Sequence, residues 1–236
     1  MTRREPVQRR SRERVELILA AASELLAKGG PDALTTRALA EYTEIPVGTI
    51  YRYFDNRDAI IAAYLDRELA KIEQAVAEAV LALERVTFRS LTEATAFAHM
   101  RHHQAHPEGV PVWFGGRLNP AVVERVCALD ASLAQGLRMS ITGVGLLSGE
   151  PDFGTELVVR LFDRMFEYVF LAERTPEEQE AIVRTFTDMV VTYAERFATP
   201  AGIDGLSAEE FVAALAAASA TGEPAQTAAI RGKIGT

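Results

Sequence analysis

The chain has 236 residues, 48% hydrophobic and 25% charged, enough for one or two domains with a sizeable core. Its formal charge of −8 argues against a protein that coats nucleic acid or anionic membrane along its whole length, and its single cysteine, Cys127, excludes an intramolecular disulfide and a Cys-rich zinc site. No run approaches the roughly 18 apolar residues of a membrane helix and no apolar stretch follows the charged N-terminus, so a cytoplasmic protein is expected.

The periodicity predicts helices almost throughout. Ser11 is a candidate cap for a first helix to about Lys28, with Val15, Ile18, Ala22, Leu25 and Leu26 at helical spacing and Gly29-Gly30-Pro31 as the stop. Thr35 or Thr36 caps a short second helix through Tyr42; Glu44-Ile45-Pro46 is a tight connection; a short third helix spans about Val47 to Phe54. Asp55-Asn56 forms a turn and caps a long fourth helix, about Arg57 to Glu84. Further helices are expected at about 89–106, 120–147, 155–173 and 177–198, with a break at Pro107–Pro111 and a loop from Gly149 to Gly154. No segment alternates with period two, so no sheet is expected. After Thr199 large apolar residues become scarce: one helix over Ser207–Ala218 is expected, then about 15 disordered residues. The expected fold class is all-α, divided into a head at 1–57, a helical body at 58–199, and a tail at 200–236.

The charge is not evenly spread. Residues 1–70 hold 11 basic and 11 acidic side chains, and residues 71–236 hold 14 and 22, so the acidic excess belongs entirely to the second part. The first 14 residues carry six arginines (Arg3, Arg4, Arg9, Arg10, Arg12, Arg14) against Glu5 and Glu13. A basic tip, a neutral module and an acidic body suggest two tasks in one chain.

The strongest signal lies in residues 33–65. Two short helices joined by a tight turn and packed on a longer one have helix-turn-helix proportions, with Leu34, Leu39, Ile45, Ile50 and Phe54 spaced for a small shared core. The third helix then turns Val47, Gly48, Thr49, Tyr51, Arg52 and Tyr53 outward, a slim polar tip suited to a major groove about 12 Å wide. Arg37 and Arg57 flank it as phosphate contacts, which set register, whereas the third helix sets sequence. The arginines ahead of the first helix are expected to track phosphates or enter the minor groove.

The run Leu34-Thr35-Thr36-Arg37-Ala38-Leu39-Ala40-Glu41, followed by Val47-Gly48-Thr49-Ile50-Tyr51-Arg52-Tyr53-Phe54-Asp55-Asn56-Arg57-Asp58-Ala59-Ile60, resembles the DNA-binding domain of the tetracycline-repressor family. The resemblance covers about the first 65 residues. It implies an all-α homodimeric transcriptional regulator, most often a repressor, whose C-terminal domain binds a small molecule and dimerises through its last two long helices. It implies DNA-contacting roles for Thr36, Arg37, Val47, Gly48, Thr49, Tyr51, Tyr53 and Arg57. One position departs from the pattern: the family's Ala-Gly in the turn is Thr43-Glu44 here. Glycine enters the left-handed region freely and glutamate does not, so the turn either takes another path or carries strain of about 1 kcal/mol.

In the second half, Val158, Leu161, Phe162, Met165, Phe166 and Val169 form one apolar stripe, and Ile182, Phe186, Met189, Val190, Tyr193 and Phe197 another. They serve as core or, paired with a second copy, as a four-helix homodimer interface at about 155–173 and 177–198. All four histidines, His99, His102, His103 and His106, share one helix face. Three readings stand: a zinc, nickel or copper site, a polar wall of a ligand pocket, or imidazoles placed at a helix C-terminus by its dipole. Trp113-Phe114, after a proline-rich break, suits an apolar cavity or a core anchor, and Met139, Phe162, Met165 and Phe166 are further candidate lining residues beside His99 and His103. No Ser-His-Asp arrangement, P-loop, dinucleotide fingerprint or metalloprotease helix is present, so no catalytic residue or cofactor is expected. The reading is a repressor that binds a palindromic operator and is released by an apolar or amphipathic effector, with no membrane partner. A metal-responsive regulator using the histidine cluster and, behind it, an all-α metal-dependent enzyme are the alternatives.

Overall fold

A computed structural model describes residues 5–115, 120–149 and 154–221. These residues are helical, joined by turns and by two isolated backbone bridges, Val86 with Leu206 and Leu147 with Ala198. They fall into two compact units, one within Met1–Leu69 and His106–Arg125, the other within Ala70–Ala105 and Val126–Thr236. The first unit thus reaches past residue 57, where the sequence suggested a boundary, and also takes in the turns after residue 106.

The first unit is built on α1 (Glu5–Ala33), whose inward Ile18, Leu19, Ala22 and Leu26 are buried. Ser11 lies inside this helix and is not its cap, because the helical backbone begins at Glu5. The helix breaks at Gly29 and Gly30, where Gly30 has φ 65°. Thr35 caps α2 (Thr36–Thr43) by accepting from the Ala38 amide at 3.0 Å, satisfying one of the donors a helix start leaves open. α3 (Val47–Ile50) is shorter than expected: the chain continues through Tyr53 as turns, so the outward residues from Tyr51 onward stand just past the helix. Asn56 caps α4 (Arg57–Leu81) by accepting from the Ala59 amide at 2.9 Å. Leu34, Leu39, Ile45, Ile50 and Phe54 are all buried, the small core expected of them. A 3-10 turn at Pro107–Gly109 and a wider helical turn at Pro111–Gly115 pack on α1, burying Val110, Val112, Trp113 and Phe114.

The second unit contains the remainder of α4, then α5 (Phe88–Ala105), most of α6 (Pro120–Arg138), α7 (Gly154–Phe170), α8 (Pro176–Ala194), α9 (Pro200–Asp204) and α10 (Ala208–Thr221). Thr175 and Glu178 form a reciprocal capping box at the start of α8. Arg89 on α5 binds Asp188 at 2.7 Å and Glu195 at 2.9 Å, fastening α5 beside α8. A core of Val80, Val86, Phe88, Leu91, Ile141, Leu146, Leu147, Val191 and Ala194 is closed by Phe211 and Leu215 of α10. α10 is therefore part of the core and not a loose tail; the expected disorder after it concerns residues 222–236, which lie outside the described residues. Gly202 permits a close approach: a Cβ there would sit 2.0 Å from the Leu146 carbonyl oxygen. No helix among the described residues is long and apolar enough to cross a membrane.

Candidate nucleic-acid interface and effector region

The connection between α2 and α3 follows the left-handed path despite its glutamate. Glu44 has φ 57° and ψ 17°, the single non-glycine positive φ among the described residues. Thr43 holds the turn: its hydroxyl donates to the Leu39 carbonyl at 2.6 Å and accepts from the Ile45 amide at 3.3 Å. These two bonds offset the strain that glutamate brings to a position suited to glycine. Glu44 itself is exposed.

This turn aims α3 outward. Val47 is 37% exposed, Tyr51 is 50% exposed, and a Cβ on Gly48 would meet nothing within 4 Å. Large apolar or aromatic groups left in water at a helix tip need a reason, and a partner surface supplies one. The Tyr51 hydroxyl lies 3.4 Å from the Thr36 hydroxyl, so the tips of α2 and α3 share one face. Thr49 is half-buried and Arg52 exposed. Arg37 is exposed and pairs with Glu41 at 3.0 Å, a surface pair weak enough to yield to a phosphate.

Two of the expected contacts also bind within the head. The Arg57 guanidinium is half-buried and donates to the Pro31 carbonyl, tying the start of α4 to the break after α1. The Tyr53 phenol is held below its ordinary value by hydrogen bonds with Arg14, then Arg52 and Ser11, so it joins the reading segment to α1. Sequence spacing placed Tyr53 on the outer face and did not show its tie to Arg14 and Ser11, which lie one helix away on α1. Arg9, Arg10, Arg12 and Arg14 stand on the helical start of α1, with Arg9 paired to Glu13 at 3.2 Å, whereas Arg3 and Arg4 lie outside the described residues.

In the second unit the histidines separate by role. The His99 ring stacks on Phe166, centroids 6.0 Å apart and planes 16° apart, while its Nδ1 donates to the Thr95 carbonyl at 2.9 Å. Burial, the largest influence, pushes the His99 imidazole below its ordinary pKa and keeps it neutral. His103 is buried and meets Phe166 and Phe170 at 6.0 and 5.4 Å. Phe162 continues the ladder and contacts Phe186 of α8 edge-on at 5.1 Å. Residues i and i+4 on α5 thus interleave with i, i+4 and i+8 on α7, giving an aromatic seam with two embedded imidazoles. Met165 is buried on α7, while Met139 packs instead on the core around α10. Trp113 and Phe114 belong to the first unit. The His102 ring meets the His103 ring edge-on at 5.6 Å, and His106, just after α5, lies 3.4 Å from a Glu108 carboxylate oxygen.

The family described as "Bacterial regulatory proteins, tetR family" matches residues 18–64. Over 71 residues the chain is 39% identical to the HTH-type transcriptional repressor KstR of Mycolicibacterium smegmatis, covering 30% of this chain and 35% of that protein. KstR of Rhodococcus jostii is 40% identical over 62 residues, covering 26% of this chain and 29% of that protein. The chain matches about a third of the length of these curated relatives. A solved structure from Rhodococcus sp. RHA1, described as a protein with unknown function, aligns with a TM-score of 0.54 at 20% identity, covering 78% of this chain and 95% of that one, a likeness of fold.

Proposed function

We propose that this chain, whose residues 18–64 match the family described as "Bacterial regulatory proteins, tetR family", is a ligand-responsive transcriptional repressor that reads a palindromic operator as a homodimer. The observation that carries this reading is the tip of α3, where Val47, Gly48 and Tyr51 stand exposed on a head whose own core is complete without them. Thr49 and Arg52 extend the reading surface, Thr36 and Arg37 hold the backbone beside it, and the α1 arginines add contacts to phosphate. Arg57 and Tyr53 act from behind, fixing α4 and the reading segment to α1. A cytoplasmic location, where the chromosome is accessible, goes with this role, and the reading is of a regulator and not an enzyme.

The seam of His99, His103, Phe162 and Phe166 is the effector region in this reading. It offers aromatic surface with neutral imidazole at His99, chemistry suited to an apolar or amphipathic molecule. A ligand that prefers one of two dimer geometries is sufficient to shift the reading helices, and α4, running from one unit into the other, is the element that carries the shift. Exposed Leu157, Leu161 and Tyr168 on α7 and Met189 on α8 are the dimer surface. The test is footprinting of the full chain on the DNA flanking its own gene. Protection of two half-sites one helical turn apart is expected; protection of random DNA with equal strength, or of none, overturns the reading.

A further inference from the structure

Within the second unit, α5, α7 and α8 meet around the aromatic seam, and two polar groups there have bonding capacity to spare. Thr187 of α8 is 1% exposed, and its hydroxyl finds no hydrogen-bond partner among the described residues. By contrast, Thr92, Thr95 and Thr185 each donate to the carbonyl four residues back, at 2.8 Å. The contacts on either side of Thr187 fix where it points. Arg184 covers the Phe97 ring of α5 at 4.9 Å, and Asp188 accepts from Arg89 of α5 at 2.7 Å. Phe186 meets Phe162 of α7 edge-on at 5.1 Å. Positions 184 and 188 lie about 60° and 100° round the helix from 187 in one sense, and 186 about 100° in the other. The Thr187 side chain therefore faces the line where the three helices meet.

The second group is His99 of α5. Its Nδ1 lies 2.9 Å from the Thr95 carbonyl, which can only accept, so Nδ1 carries the proton. Burial, the largest influence, keeps the ring neutral, which leaves Nε2 as an acceptor with no bond among the described residues. His99, Phe162 and Phe186 are only half-buried, so the seam has an open edge. Phe162, at the level of Thr187, lies 6.4 Å from Phe166, on which His99 stacks. The two polar groups thus stand about one helical turn apart along the seam, close to twice a hydrogen-bond length.

We propose that this seam binds an uncharged, planar apolar molecule bearing a hydroxyl, its body on the Phe162 and Phe166 rings and its hydroxyl donating to His99 Nε2 while accepting from Thr187. The proposal rests on the reading of the seam as the effector region and names the class of effector. A buried hydroxyl without a partner costs free energy, and a ligand oxygen removes that cost. A carboxylate suits the site poorly: it would face the Nε2 lone pair, and Arg89 and Arg184 are engaged with Asp188, Glu195 and Glu180. A bare hydrocarbon leaves both polar groups unpaired.

The test titrates the purified full-length chain, without DNA and at neutral pH, with 2-naphthol, 2-naphthoate and naphthalene, followed by ligand fluorescence. One 2-naphthol per chain is expected to bind saturably, and the other two at least tenfold more weakly. His99→Phe keeps a ring in the stack and removes the acceptor; Thr187→Val keeps the shape and removes the hydroxyl. Each is expected to weaken 2-naphthol at least fivefold and to leave naphthalene unchanged. Thr187→Val should also unfold at no lower temperature than the wild type, since the hydroxyl it loses has no partner. Four results overturn the proposal: no saturable binding of 2-naphthol, 2-naphthoate bound as tightly, unchanged 2-naphthol affinity in either variant, or a lower unfolding midpoint for Thr187→Val. Release of the footprinted operator is scored separately. Binding without release confirms the site and overturns only its role as the effector region.

Discussion

Glu44 and Thr43 show how a residue can break a pattern without breaking the fold. The sequence exposed the conflict, a glutamate where the turn wants glycine, and left two outcomes open. The structure takes the left-handed path, and the Thr43 hydroxyl, which bonds on both sides of the turn, is the compensation. A threonine two residues before a buried isoleucine was the available sign, but side-chain bonds to local backbone are hard to read from spacing alone. Glu44→Gly is expected to stabilise the chain by about 0.5–1 kcal/mol, read as a shift in the denaturant midpoint with unchanged slope; a loss of stability would mean that Glu44 bears no strain. His99 gives a second prediction. Its folded-state pKa is depressed, so the unfolded chain takes up the proton first, and stability falls as the pH drops below the ordinary imidazole value of about 6.5. Between pH 7.5 and 5.5, thermal midpoints should fall more steeply for the wild type than for His99→Gln; parallel slopes would contradict the assignment.

At the scale of elements, most helices were legible because wide apolar stripes force a helical period wherever one face must be buried. The errors fall where tertiary contacts decide. α1 begins at Glu5 instead of Ser11, because its arginine-rich start has no apolar stripe to mark it. α10 was read as a possible helix in a polar tail, yet Phe211 and Leu215 alone suffice to seat it in the core. Its alanine-rich sequence gave no periodic contrast, so burial could not be inferred. The helical start of α1 places Arg9 and Arg10 on a helix. Deleting residues 2–10 is expected to weaken operator binding and to lower the slope of log affinity against log salt by about 2–4, one unit for each lost phosphate contact. An unchanged salt slope in the truncated protein would remove the arm from the interface.

For the whole molecule, the net charge of −8 described the acidic second part and concealed a neutral head with a basic start. Charge per module was the informative quantity. The candidate DNA-reading residues were legible because they lie close together in sequence, whereas the hydrogen bond from Ser23 to Glu108 was not, since the two come from distant segments. The aromatic seam lay between: its histidines and phenylalanines were identified singly, but their interleaving depends on how α5 packs on α7. The exposed apolar residues of α7 and α8 predict assembly. Leu161→Glu, at a position open to solvent in the single chain, is expected to yield monomer by sedimentation while keeping helicity; a dimer of undiminished strength would place the interface elsewhere.

The central claim, that the tip of α3 reads DNA, is tested most directly by comparing wild type and Tyr51→Ala on the footprinted operator. Tyr51 is half-exposed and carries no core packing, so the variant should unfold like the wild type, within about 0.5 kcal/mol, and remain dimeric. Specific affinity is expected to fall at least tenfold, about 1.4 kcal/mol, with non-specific binding little changed. An unaltered footprint and affinity in a correctly folded Tyr51→Ala dimer would contradict the account.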